Sequence, residues 1–107
     1  MIYELRIYEA APGKLEALHS RFRDHTLGIF ERHGIQSVGY WDEEFQGKQN
    51  LVYLLAFESK GDMEQKWAAF REDPEWRKVF EETERGGALA SQVVSRVMAP
   101  TDYSPIK

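Results

Sequence analysis

Residues 2–9 read Ile2-Tyr3-Glu4-Leu5-Arg6-Ile7-Tyr8-Glu9. Successive side chains of a β-strand project to opposite faces, so Tyr3, Leu5 and Ile7 form an apolar row while Glu4, Arg6 and Tyr8 form a polar one. The apolar row requires a core. A row of charges on an interior strand requires water, partners or a lined cavity, because burying an unpaired charge is costly. The placement of these two rows decides where ligands and partners can meet the protein.

Outward from this strand, Ala11-Pro12-Gly13 reads as a turn. Between Lys14 and His33, the residues Leu15, Leu18, Phe22, Ile29 and Phe30 recur at three-and-four spacing, which predicts one amphipathic helix stopped by Gly34. His33, in its last turn, is placed to meet the free carbonyls there. Ile35 to Glu43 predicts a strand, with Gly39 marking a bulge or a close backbone approach. The polar stretch Glu44 to Asn50 connects it to a nearly continuous apolar strand, Leu51 to Glu58. Ser59 followed by Asp62 is a capping start for a helix whose inner stripe is Met63, Trp67 and Phe70. Asp73-Pro74-Glu75 restarts a short helix with Trp76, Val79, Phe80 and Thr83 inward, and Gly86-Gly87 ends it. Ala88 to Ala99 alternates as a last strand before Pro100.

The order is β-α-β-β-α-β, an α+β ferredoxin-like arrangement with a four-stranded antiparallel sheet and both helices on one face. Residues 1–100 form the domain and 101–107 a C-terminal tail. The first strand is then central. Its Tyr3, Leu5 and Ile7 row is expected under the helices, leaving Glu4, Arg6 and Tyr8 on the open face beside Val52, Leu54 and Ala56. Such a face is too apolar to stay wet, so a second copy is expected to cover it, sheet against sheet, about a two-fold axis.

The totals exclude several classes of function. A chain of 107 residues with no cysteine has no disulfides, thiolate nucleophiles or Cys-based metal sites. A net charge of −4 with Lys and Arg spread singly gives neither a nucleic-acid footprint nor a polybasic membrane signal. No apolar run is long enough for a signal peptide or membrane span, so a cytoplasmic location is expected. Six Phe, five Tyr and three Trp supply rings for interfaces and pockets as well as the core.

Glu4-Leu5-Arg6 with Tyr8, then Pro12-Gly13-Lys14, His33-Gly34, Val38-Gly39 with Trp41, and Val52-Tyr53-Leu54 resemble the NIPSNAP family in order and spacing. Trp67 before Asp73-Pro74-Glu75-Trp76, and Arg96 with Met98 and Pro100 before Tyr103-Ser104-Pro105, resemble that family's latter half, so nearly the whole chain is covered. The resemblance implies a dimeric α/β barrel built from two ferredoxin-like protomers. The wider superfamily it implies holds small monooxygenases, haem-degrading enzymes and decarboxylases, whereas NIPSNAP proteins have no settled catalytic set to carry over. The resemblance therefore supplies a fold more than a function.

Candidate site residues are Glu4, Arg6, Tyr8, His25, Tyr40, Trp41, Tyr53 and Arg96. Arg6 with Glu4 has the chemistry to anchor an anionic ligand; the plainer use of such charges is a cross-strand ion pair with each other or with Arg96. His25 and His19 lie on opposite edges of the first helix's stripe, where a ring can serve as base or simply hydrogen-bond a neighbour, and His25 is the candidate catalytic residue. Tyr8, Tyr40, Trp41 and Tyr53 are suited to lining a pocket for a flat ligand, whereas Trp67 and Trp76 sit at core positions. No spacing of His, Asp or Glu makes a metal site, and no P-loop, dinucleotide fingerprint or Ser-His-Asp order occurs. The favoured expectation is a homodimer binding a small hydrophobic or aromatic ligand between sheet and helices, with cofactor-free, oxygenase-like chemistry. The alternative is a non-catalytic dimeric interaction module, and haem handling through His25 is a third reading.

Overall fold

The computed structural model describes all 107 residues. The elements run β1 (Ile2–Ala10), α1 (Leu15–Arg21), a π-helical segment (Phe22–Thr26), α2 (Leu27–Arg32), β2 (Gln36–Phe45), β3 (Lys48–Phe57), α3 (Lys60–Glu72), α4 (Pro74–Thr83) and β4 (Ala90–Met98). The sheet order is β2-β3-β1-β4, antiparallel throughout. β1 lies inside the sheet because it is free of Gly and Pro and can give every backbone group to β3 on one side and β4 on the other. The ferredoxin-like α+β fold expected from the element order is present, and the sheet does not close on itself.

The two rows of β1 face the opposite way from the expectation. In the register of β1 on β3, Glu4 lies beside Leu55, Arg6 beside Tyr53 and Tyr8 beside Leu51. Leu51, Tyr53, Leu55 and Phe57 are core residues packed with Phe30, Trp67 and Phe70 of the helices. Glu4, Arg6 and Tyr8 therefore point at the helices, and Tyr3, Leu5 and Ile7 share the open face with Val52 and Leu54. The cause is a set of hydrogen-bond partners from distant elements, described below, that satisfies the polar row inside the domain. The open face is consequently more apolar than the sequence pattern alone suggests.

The core is largely aromatic. Phe30 meets Phe70 at 5.1 Å and Trp67 at 5.6 Å between ring centroids, and Phe22 meets Tyr53 at 5.3 Å. These tilted and edge-on contacts suit the ring quadrupoles and fill the space between sheet and helices. The first helical stretch is not one regular helix. Its middle widens to i→i+5 bonding, with the Leu27 N–H donating to the Phe22 carbonyl and the Thr26 hydroxyl to the Arg21 carbonyl at 3.3 Å. The extra residue keeps Phe22 and Thr26 buried on the same side as Ile29 and Phe30.

Other boundaries follow from local chemistry. The Glu44–Asn50 connection expected to be loop is mostly strand, because Gln46 (φ 52°) and Gly47 (φ 75°) make a tight hairpin tip. Two left-handed residues match the twist of the flanking strands. Gly39 follows the bulge at Val38, and the Trp41 ring lies across it, so that a Cβ there would stand 2.7 Å from Trp41 Cη2. Ser59 caps α3 by accepting from the Asp62 N–H at 3.0 Å, as its position implies. Phe80, expected inward, is exposed and rests on Trp76. The tail folds on itself through Ser104 and Ile106.

His33 does not meet the free carbonyls of its helix. Its Nε2 lies 2.6 Å from Asp73 Oδ2, which also accepts from Arg32 at 2.5 Å, while Asp73 Oδ1 caps α4 by accepting from the Glu75 N–H at 2.8 Å. Arg32 and His33 together hold the Asp73 carboxyl well below the usual carboxylate range. A carboxylate depressed in the folded state contributes stability above its unfolded pKa and loses it as pH falls. Asp73→Asn is therefore expected to lower stability at neutral pH, and the gap to wild type to close as pH drops below about 4; urea denaturation across that range measures it.

Candidate functional site

The polar row of β1 is the centre of a buried network. Glu4 is almost wholly buried, with Oε1 accepting from the Trp67 indole at 2.6 Å and Oε2 accepting from Arg6 Nη1 at 3.0 Å and the Ser95 hydroxyl at 2.5 Å. Arg6 spreads its fork further, donating from Nε to Tyr53 Oη at 2.9 Å and from Nη2 to Tyr8 Oη at 3.0 Å. Its Cζ stands 4.5 Å from the Trp67 ring centroid, a cation over an aromatic face. Burial works against the Arg6 charge, but the facing Tyr53 and Tyr8 oxygens and the Glu4 carboxylate outweigh it, and its pKa is raised. Burial likewise pushes the Tyr53 phenol well above its ordinary value, so it keeps its proton. Arg6 thus faces a carboxylate that already balances it, and an anion has no unpaired cation to bind here.

A second arrangement lies between the helical stretch and β2. A cleft of about 220 Å³ is lined by Phe22, Leu27, Tyr40, Trp41 and Leu51, with His19, Arg23 and Asp42 at its polar side. His19 Nε2 is 2.7 Å from Asp42 Oδ1, which fixes the imidazole across the gap between helix and strand. Asp42 follows Tyr40 by two residues on the helix-facing side of β2, and His19, Phe22 and Arg23 fall on one helical edge. Tyr40 stacks on Tyr53 at 5.2 Å and its hydroxyl lies 2.7 Å from Ser37 Oγ. Burial raises its pKa, so the cleft wall is a neutral phenol.

The remaining candidates separate. His25 is exposed on the outer side of the π-helical segment, beside a shallow groove with Arg21, Asp24 and Thr83, away from the sheet–helix interior in which it was expected. Arg96 lies opposite Leu5 on the open face and meets neither Glu4 nor Arg6. Tyr8, Tyr40 and Tyr53 come together on the helix side, joined by Phe22 at 5.6, 6.1 and 5.3 Å. His19 was weighed beside His25 as a base but placed second to it, and Asp42, Ser95 and Trp67 were not among the candidates. Asp42 was legible only through its alternation with Tyr40, and Ser95 only once β4 is paired beside β1. No three His, Asp or Glu side chains gather into a possible metal site.

An open four-stranded antiparallel sheet with its helices on an aromatic side defines an α+β ferredoxin-like domain. The family model described as NIPSNAP matches residues 3–105, and the chain belongs to the NIPSNAP family. It is similar to a NIPSNAP family protein of unknown function from Agrobacterium tumefaciens, 27% identical with TM-score 0.86, covering 100% of this chain and 94% of that one. A second NIPSNAP family protein from that organism is 22% identical with TM-score 0.87, covering 99% and 98%. A putative antibiotic biosynthesis monooxygenase from Nitrosomonas europaea, 13% identical with TM-score 0.63 over 94% and 98%, shares the fold. No protein of curated function matches the chain. No helix is long and apolar enough to cross a membrane.

The network makes Glu4 a keystone of stability. Removing one partner of a buried charge pair leaves the other uncompensated, so Glu4→Ala is expected to cost about 3 kcal/mol or more, with the Trp67 indole losing its acceptor. Glu4→Gln, which keeps an acceptor for Trp67, is expected to cost less. Urea denaturation followed by tryptophan emission checks both.

Proposed function

We propose that the protein is a homodimer that binds a small hydrophobic or aromatic molecule in the cleft between its first helical stretch and β2. The observation that carries this reading is the cleft itself: an apolar concavity walled by Phe22, Leu27, Tyr40, Trp41 and Leu51 with a single oriented imidazole at its edge. Ligand sites are typically apolar hollows with few convergent polar groups. Its volume suits one or two rings rather than a large cofactor. Tyr40 acts as a wall, and His19 is the group placed to meet a polar edge of the ligand.

2-Naphthol, a fluorescent two-ring probe, is expected to bind at micromolar to millimolar concentration. Leu27→Trp, at a partly exposed position, fills the cleft and is expected to weaken binding about tenfold or more. Unchanged affinity in that variant, with the protein folded, sinks the cleft reading.

Self-association is supported by the open face, where Tyr3, Leu5 and Ile7 lie beside Val52 and Leu54 with the exposed Trp41 at one side and Met98 at the other. A flat apolar sheet face is self-complementary about a two-fold axis, and two such faces packed together bury each other. Light scattering at micromolar protein is expected to give twice the protomer mass, and Leu54→Glu the mass of one protomer. A monomeric wild type overturns the assembly.

A further inference from the structure

The rim of the Phe22–Tyr40 cleft carries a charge that nothing in the chain balances. Three arginines lie on the helical stretch from Leu15 to Arg32. Arg21 is paired with Glu84 at 2.8 Å, and Arg32 with Asp73 and Glu75 at 2.5 Å each. Arg23 takes part in no ion pair and donates to no acceptor of the chain, yet it lines the cleft.

Its position follows from the helical winding. His19, Arg23 and Leu27 are four residues apart and all three border the cleft, so they form one edge of the stretch. Phe22 and Leu51 are buried at the floor, whereas Leu27 is 39% exposed at the mouth and Arg23 is exposed. The Arg23 stem therefore runs along the apolar hollow while its head stays in water, the usual way a long cationic side chain borders an apolar surface.

The other two polar groups of the rim are committed to each other. His19 Nε2 lies 2.7 Å from Asp42 Oδ1, so a cationic ligand finds the rim carboxylate already engaged. A ligand whose rings fill the floor must bring its polar substituent to the rim, because the one hydroxyl in the wall, that of Tyr40, is taken up with Ser37 Oγ at 2.7 Å. At the rim the substituent meets the five N–H donors of a guanidinium that has no acceptor. A carboxylate matches that fork with two parallel hydrogen bonds, which neither a water molecule nor a single carbonyl oxygen can make. The apolar wall alongside screens the pair less than bulk water does.

We infer that the cleft selects aromatic carboxylates of one or two rings, with the rings between Phe22, Tyr40 and Leu51 and the carboxylate on Arg23. This selection presupposes that the cleft is the binding site, and it names the charge of the ligand and the residue that reads it. The chain as a whole carries a net charge of −4, which favours cations over anions at long range. A preference for an anion here is a local effect of Arg23, opposite in sign to the field of the whole protein.

Fluorescence titration with 2-naphthoate, its uncharged isostere 2-naphthamide and the cationic 2-naphthylmethylammonium tests it, with 2-naphthol reporting on the cleft itself. The wild type is expected to bind 2-naphthoate about fivefold more tightly than 2-naphthamide, the worth of one ion pair at a partly exposed site, and to bind the ammonium most weakly. The preference is expected to shrink as salt rises from about 0.05 to 0.5 M. Arg23→Gln is expected to bring naphthoate and naphthamide to equal affinity, and Arg23→Lys, which keeps the charge without the fork, to retain part of the preference. Equal affinities in the wild type, tightest binding of the ammonium, a preference indifferent to salt, or one that survives Arg23→Gln overturns the selection. In those cases the cleft itself stands if 2-naphthol binds and Leu27→Trp weakens it, whereas failure of all four compounds to bind overturns both. Should Arg23→Gln fail to fold, the wild-type ranking and its salt dependence decide.

Discussion

A carboxylate shared by three donors from three elements is the constraint on which the rest of this domain depends. Glu4 binds the indole of Trp67 on α3, the guanidinium of Arg6 on its own strand and the hydroxyl of Ser95 on β4. An unpaired carboxylate in that position would be several kcal/mol uphill, so strand, neighbour strand and helix are fixed relative to one another by the need to satisfy it. Once the polar row is turned inward, the apolar row of Tyr3, Leu5 and Ile7 is turned outward. The chemistry on one side of β1 thereby dictates the apolar character of the other.

This is also where reading the chain residue by residue stops short. Element order, the Ser59 and Asp73 caps, the close approach at Gly39 and the ferredoxin-like sheet were legible, because they depend on local propensity and short-range spacing. The facing of β1 was not, since alternation separates two rows without saying which one finds partners. The partners of Glu4 come from positions 63 and 91 residues away. The His19–Asp42 pair was hidden for the same reason: each residue is unremarkable in its own element, and only the packing of α1 on β2 brings them to 2.7 Å. His25 drew attention by its type, yet the i→i+5 segment that carries it turns it to solvent.

Membership of the NIPSNAP family and the likeness in fold to a putative monooxygenase constrain architecture and leave chemistry to the side chains. Those side chains divide into zones of different character. The network around Arg6 pairs its cation with Glu4 and with the hydroxyls of Tyr8 and Tyr53. The cleft beside it is apolar with one imidazole at its rim. The open face is apolar along Tyr3, Leu5, Ile7, Val52 and Leu54, with Arg96 beside Leu5 on β4. A polar residue on one face of this sheet and an apolar one on the other are thus parts of a single division of labour along β1.

The widened turn at Phe22–Thr26 gives the helical stretch two independent phases. Residues before it set His19 against Asp42, and residues after it seat Ile29 and Phe30 in the core. Loss of a single residue from that turn would restore regular winding and rotate one half against the other by about 100°. Either the imidazole would leave its aspartate or Phe30 would leave the aromatic core. The extra residue works as a coupling between two gears of unequal pitch, letting the rim be tuned without disturbing the packing beneath it.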